Sequence, residues 1–164
     1  ALTINAGDGK NTVNAKAVTT GTAKITTGSG NDTIDLSALT TGKATVTSGA
    51  GDDKVTLGTT ATPVTFTNTT EFTFDGGAGT DTLVIAGASN LKAAKVFNLT
   101  SVEEMIIESG TTLAGSQLSG KAYAIKANDA GTAGVPNILN VDVVNPNAAT
   151  AITTDLSGLN FSTS

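Results

Sequence analysis

A 21-residue repeat constrains this chain more than any other feature. Gly7, Gly28 and Gly49 are evenly spaced by that interval, as are Gly9, Gly30 and Gly51, and Asn11, Asp32 and Asp53. The apolar sets Ile4, Ile25, Val46 and Val13, Ile34, Val55 keep the same period. A fourth copy, Gly76-Gly77-Ala78-Gly79-Thr80-Asp81-Thr82-Leu83-Val84, follows the third after 28 residues. The extra residues fall in the Thr-rich stretch from Thr59 to Phe74, where Val64/Phe66 and Phe72/Phe74 alternate like strands. Each copy reads as a short alternating strand, a glycine turn and a second short strand. Softer turns at Thr20-Gly21-Thr22 and Thr41-Gly42-Lys43 close the coil. Such a unit cannot bury its apolar face alone, so it has to stack on its neighbours. The expected fold is therefore all-β, a parallel β-solenoid of the β-roll or β-helix kind with a narrow Ile/Val/Leu core.

The organisation expected is one continuous domain. Residues 1–86 carry the four glycine-Asp turns, and residues 87–164 continue the solenoid or form a β-rich segment. In the second part Val102–Glu108, Ala122–Lys126 and Ile138–Val144 read as strands, and Leu91–Phe97 as one or two helical turns. The phrases Asp35–Leu39, Gly115–Gly120 and Asp155–Leu159 resemble one another and are read as a recurring corner, with Pro136 and Pro146 in connections. The opening strand-like Leu2-Thr3-Ile4-Asn5 suggests a segment of a longer protein.

Composition removes several chemistries. With no Cys and no His, thiolate or imidazole metal sites, cysteine nucleophiles and Ser-His-Asp triads are excluded. All nine cations are Lys and the net charge is -5, which argues against nucleic-acid binding. No apolar run is long enough to span a membrane as a helix.

What remains is oxygen chemistry. The phrase Gly-x-Gly-x-Asp-x-apolar matches the nonapeptide of calcium-binding β-helices. Calcium takes roughly six to eight oxygen ligands. A glycine turn lets backbone carbonyls converge while its Asp adds a carboxylate, and a stacked neighbour supplies the rest of the shell. Without an ion, like charges about 5 Å apart repel by ~0.8 kcal/mol in water and ~3 kcal/mol at an effective dielectric of about 20. Calcium between turns should therefore couple binding to folding. The expected ligands are Gly28, Gly30 and Asp32 in turn two, Gly49, Gly51 and Asp53 in turn three, and Gly77, Gly79 and Asp81 in turn four. Turn one offers Gly9 and Asn11, a neutral amide in place of a carboxylate, with Asp8 as a compensating acid. Sites are expected between turns two and three and between three and four, where the insertion could displace turn four, with the pair of turns one and two ranked last. The Asn-x-Ser/Thr matches are read as compositional, and Glu103/Glu104 as solvated.

Gly28-Ser29-Gly30-Asn31-Asp32-Thr33-Ile34-Asp35 and Gly76–Leu83 resemble the calcium-binding repeats of RTX-type secreted bacterial proteins. Gly76–Ala86 followed by Leu99-Thr100-Ser101-Val102-Glu103-Glu104-Met105-Ile106-Ile107 looks like bacterial surface-layer (S-layer) proteins and related adhesins. The resemblance implies export by a type I route, an extracellular place at the bacterial cell surface, and folding in calcium. The implied partners are calcium ions, other copies of the protein in a surface lattice, and cell-surface polysaccharide. A structural calcium-binding role is the leading expectation, and the alternative is a binding module of an RTX-type adhesin. A polysaccharide-acting enzyme is disfavoured, because Asp52/Asp53 or Glu103/Glu104 would have to act without Arg or His.

Overall fold

A computed structural model describes residues 1–108, 110–127, 139–142 and 160–163. In chain order the strands of the repeat region are β1 (Leu2–Asn5), β2 (Thr12–Asn14), β3 (Thr22–Thr26), β4 (Thr33–Asp35), β5 (Lys43–Ala50), β6 (Lys54–Leu57), β7 (Glu71–Ala78) and β8 (Thr82–Ile85). They are followed by β9 (Val96–Thr100), β10 (Glu104–Ile107), β11 (Thr111–Ala114), the short helix α1 (Gly115–Leu118), β12 (Ala124–Ala127), β13 (Leu139–Asp142) and β14 (Asn160–Thr163). All pairing between these strands is parallel, and the coils stack as a β-solenoid of about six turns.

One face is the sheet β1-β3-β5-β7-β9 and the opposite face is β14-β12-β10-β8-β6-β4-β2. The repeat fixes the register: Ile4 pairs with Ile25, Ile25 with Val46, and Val13 with Ile34, each with its own repeat equivalent. Alternate residues point inward, so like stacks on like in apolar columns. Ile25, Val46, Phe74 and Leu99 form one, and Ile34, Val55, Leu83, Met105 and Ile125 another.

The insertion between β6 and β7 does not displace turn four. Gly49 pairs with Gly77 and Ala50 with Ala78, in register. The added residues enter on the far side of the coil and open a third face. There Thr65 bridges to Asn90 and Asn90 to Thr112, and β11 pairs with β13. Val64 and Phe66 turn inward from this segment, and the Phe66 ring lies 6.3 Å from that of Phe72. Phe72 stacks over Ala44, so the core widens where the coil lengthens.

Two other expectations meet a different outcome. Leu91–Phe97 makes one hydrogen-bonded turn, Ala94 N–H to the Leu91 carbonyl at 3.1 Å, and no helix: the backbone at Asn90 is held by Val64 and Phe66, and Val96 already pairs with Glu71 in β9. Of the corner phrases, Asp35 accepts the Ser37 N–H with Leu36 and Leu39 buried, while Gly115–Leu118 is the helix α1 with Leu118 buried. The third, Asp155–Leu159, lies outside the described residues, as do Pro136 and Pro146. The strand expected over Ile138–Val144 is present at Leu139–Asp142.

Because Phe66 fills the space that the insertion creates, Phe66→Ala should cost about 3–5 kcal/mol in a urea unfolding titration. A loss below about 1 kcal/mol would mean that the third face is not part of the cooperative core.

Candidate metal centre

The glycine turns stack along one edge, between β1 and β2 and their successors. Gly28, Gly49 and Gly77 form one column, and Gly30, Gly51 and Gly79 the next. Successive turns are tied by backbone bonds from Gly9 N–H to Ser29 (2.6 Å), Gly30 N–H to Ala50 (2.6 Å) and Gly51 N–H to Ala78 (2.8 Å). The approach is close enough to demand glycine. A Cβ on Gly77 would lie 2.0 Å from the Gly49 carbonyl oxygen, and Gly77 also has a φ of 97°. One tier on, a Cβ on Gly79 would lie 2.1 Å from the Gly51 carbonyl oxygen.

Asp32, Asp53 and Asp81 stand on the inner side of these turns, with 1%, 1% and 0% of their surface exposed. In each carboxylate one oxygen reaches back to the preceding coil. Oδ1 of Asp32 accepts the Asn11 N–H at 2.7 Å, Asp53 that of Asp32 at 2.7 Å, and Asp81 that of Asp53 at 3.0 Å. The second oxygen, Oδ2, is buried in all three residues and has no hydrogen-bond partner. A buried charged oxygen without a partner is costly, and here the same atom is left open three times in succession.

Asn11 occupies the equivalent position in turn one. Its Nδ2 donates to the carbonyls of Gly7 and Gly9, at 2.8 Å each. The amide thus satisfies two carbonyls of its own turn rather than offering them its oxygen. In the Asp turns the equivalent carbonyls belong to Gly28 and Gly30, Gly49 and Gly51, and Gly77 and Gly79. An amide NH₂ there has become a carboxylate oxygen, which cannot donate. Two acceptors can face each other only across a proton, a water or a cation.

Electrostatics point the same way at Asp81. Burial, aided by the nearby charges of Asp53, Glu103 and Asp52, pushes its carboxyl up to about 6 against the pull of the Asp53 N–H. An outer ladder runs in the opposite sense and is solvated. Asp8 accepts the Ser29 N–H (2.9 Å), Asn31 that of Asp52 (3.0 Å), and Asp52 that of Thr80 (2.9 Å). The Ser29 bonds hold Asp8 below the usual carboxylate range. Inner carboxylates therefore clasp the coil before and outer side chains the coil after.

Glu103 is exposed, as the sequence suggested, and also accepts the Asp81 N–H at 2.9 Å, adding a rung that glycine spacing could not reveal. The signal was the register of the flanking strands, which sets Glu104 beside Thr82. Glu104 pairs instead with Lys126.

The donors on this edge are all oxygens, a set that suits a hard cation such as calcium. Among the described residues no three carboxylates gather at one point, so any ion would draw on backbone carbonyls and water as well. Comparison with protein-family models, curated proteins and solved structures gives no match.

Two outcomes follow from this geometry. Gly9 has a φ of 91° but nothing within 4 Å of a Cβ, so Gly9→Ala should cost only the ~1–2 kcal/mol of a left-handed alanine. Gly77→Ala should cost at least ~3 kcal/mol, because it adds a clash with backbone; equal losses in thermal melts would mean that the turns are not packed as described. In chelator, the raised Asp81 carboxyl makes the folded chain bind a proton that the unfolded chain, near 3.8, releases. The stability that Asp81 contributes should therefore be greatest below about pH 4 and be lost as pH rises towards 6, so over that window the wild type should lose stability relative to Asp81→Asn. A rise in stability over that window, unchanged by the substitution, would contradict the assignment.

Proposed function

We propose that this chain is a structural, calcium-binding segment of a secreted bacterial surface-layer protein, in which ions along the glycine-Asp edge drive folding and stiffen the solenoid. The observation that carries this reading is the repeated open Oδ2 of Asp32, Asp53 and Asp81, set against Asn11, whose amide supplies the missing positive edge itself. A divalent ion would be held by Asp32 with the Gly28 and Gly30 carbonyls, Asp53 with those of Gly49 and Gly51, and Asp81 with those of Gly77 and Gly79. Sites between turns two and three and between three and four share these residues. Turn one, with Gly9 and Asn11, is the weakest binder.

The ion supplies counter-charge and nothing reactive; the reading is non-enzymatic. In a bacterial exterior that is rich in calcium, the chain would become rigid on export, by a type I route, and assemble with further copies in a lattice on the cell surface. Cell-surface polysaccharide is the remaining partner class. This placement rests on the resemblance of Gly76–Ala86 and Leu99–Ile107 to surface-layer proteins and on a stacked repeat fold that suits a load-bearing array.

Circular dichroism and thermal melting with calcium and with chelator test the proposal. Calcium should raise the melting temperature with half-saturation at about 10⁻⁴–10⁻³ M, the range of extracellular modules. Asp53→Asn should stabilise the chelated protein, since an amide can donate to the turn carbonyls, and should lose calcium-induced stabilisation. Asp53→Ala should cost more calcium affinity than Asn11→Ala. Identical melts in calcium and chelator would overturn the reading.

A further inference from the structure

The edge of the fifth coil departs from the four before it. Asp75 pairs with Thr100 and Thr82 with Glu104, so the seven steps from Asp75 to Thr82 in the fourth coil are matched by only four from Thr100 to Glu104. There is no glycine turn here and no Asp. Ser101 makes the tight bend instead, at a φ of 49°, the one left-handed non-glycine among the described residues.

The shortened bend brings a different set of oxygens onto turn four. Glu103 Oε2 accepts the Asp81 N–H at 2.9 Å, the same contact that Asp81 Oδ1 makes with the Asp53 N–H. The Ser101 carbonyl faces Gly76. A Cβ placed on Gly76 would lie 2.2 Å from that carbonyl oxygen and 2.4 Å from Asp81 Oδ2. Two acceptors thus share the space that the missing side chain leaves, and Asp81 Oδ2 is fully buried without a partner. An open cleft of about 390 Å³ lies beside the bend, lined in part by Ser101, Glu103, Lys121 and Tyr123, with Asp81 behind it. Lys121 forms no ion pair with either carboxylate among the described residues.

We propose that Asp81 Oδ2, the Ser101 carbonyl and the Glu103 carboxylate form a separate terminal site for a divalent, oxygen-preferring cation, open to the cleft and completed by water. It shares Asp81 with the site at turn four and differs from the sites between glycine turns in adding Ser101 and Glu103, which line the cleft. Glu103 ends the carboxylate column with a longer side chain that spans the shorter turn. The proposal rests on the reading that the column takes up calcium, and it adds an ion where the glycine repeat has stopped.

Calorimetric titration of the full chain with calcium, wild type against Glu103→Gln, tests it. The Gln side chain keeps an oxygen to accept the Asp81 N–H, so the fold is retained while the charge is lost. The substitution should remove one ion from the stoichiometry, or weaken one by ~10-fold or more, and leave the others unchanged. Its melting temperature should be lower than wild type in calcium but equal or higher in chelator, where one fewer negative charge faces Asp81. Unchanged ion number and affinity, or the same drop in melting temperature in both buffers, would overturn the terminal site and leave Glu103 as a hydrogen-bonding brace. A wild-type chain that takes up no calcium would overturn the calcium reading itself, and the terminal site with it.

Discussion

Burying a carboxylate oxygen without a donor or counter-charge costs several kcal/mol, and in this solenoid the cost recurs at Asp32, Asp53 and Asp81. Stacking identical units multiplies whatever one unit leaves unmet. The same stacking gives each apolar column its regularity, so the fold cannot keep the benefit of the repeat and escape its electrostatic penalty. Marginal folding stability leaves little room to absorb several such terms. The proposed ion would meet this cost at the Asp turns, as the Asn11 amide meets it in turn one by donating to the Gly7 and Gly9 carbonyls.

The rest of the structure protects that edge. Glycine is needed where one turn's carbonyl presses on the next turn's Cα, as at Gly77 over Gly49. Extra residues are accommodated on the opposite side, where Val64 and Phe66 widen the core and leave the turns in register. Inner carboxylates grip the preceding coil and the outer Asp8, Asn31 and Asp52 grip the following one. Each coil is thus held from both directions by side chains as well as by the backbone ladder.

Much of this was legible in the residues. A fixed 21-residue spacing of Gly, Asp and β-branched residues leaves stacking as the only way to bury Ile25, Ile34, Val46 and Val55, and the parallel register follows. Less legible was anything set by the path of the chain between repeats. The third face arises because Val64 and Phe66 find a partner in Asn90, a contact with no sequence period. Asn90 also anchors a stretch whose local pattern suggested a helix, which makes one turn from Leu91 to Ala94 and then enters β9. Glu103 escaped notice as a rung because its turn lost three residues and both glycines, which hides the equivalence with Asp81 until the strands on either side are aligned. The inward turn of the Asn11 amide depends on side-chain orientation, which spacing alone does not give.

The most direct test is a crystal structure of the chain grown in calcium, with anomalous diffraction used to locate the ions. The account predicts calcium peaks bonded to Oδ2 of Asp32, Asp53 and Asp81 and to carbonyl oxygens of the glycine turns, and none at Asn11 within its own turn. Those three oxygens found without a metal, each bonded to a proton donor or to water alone, would contradict it.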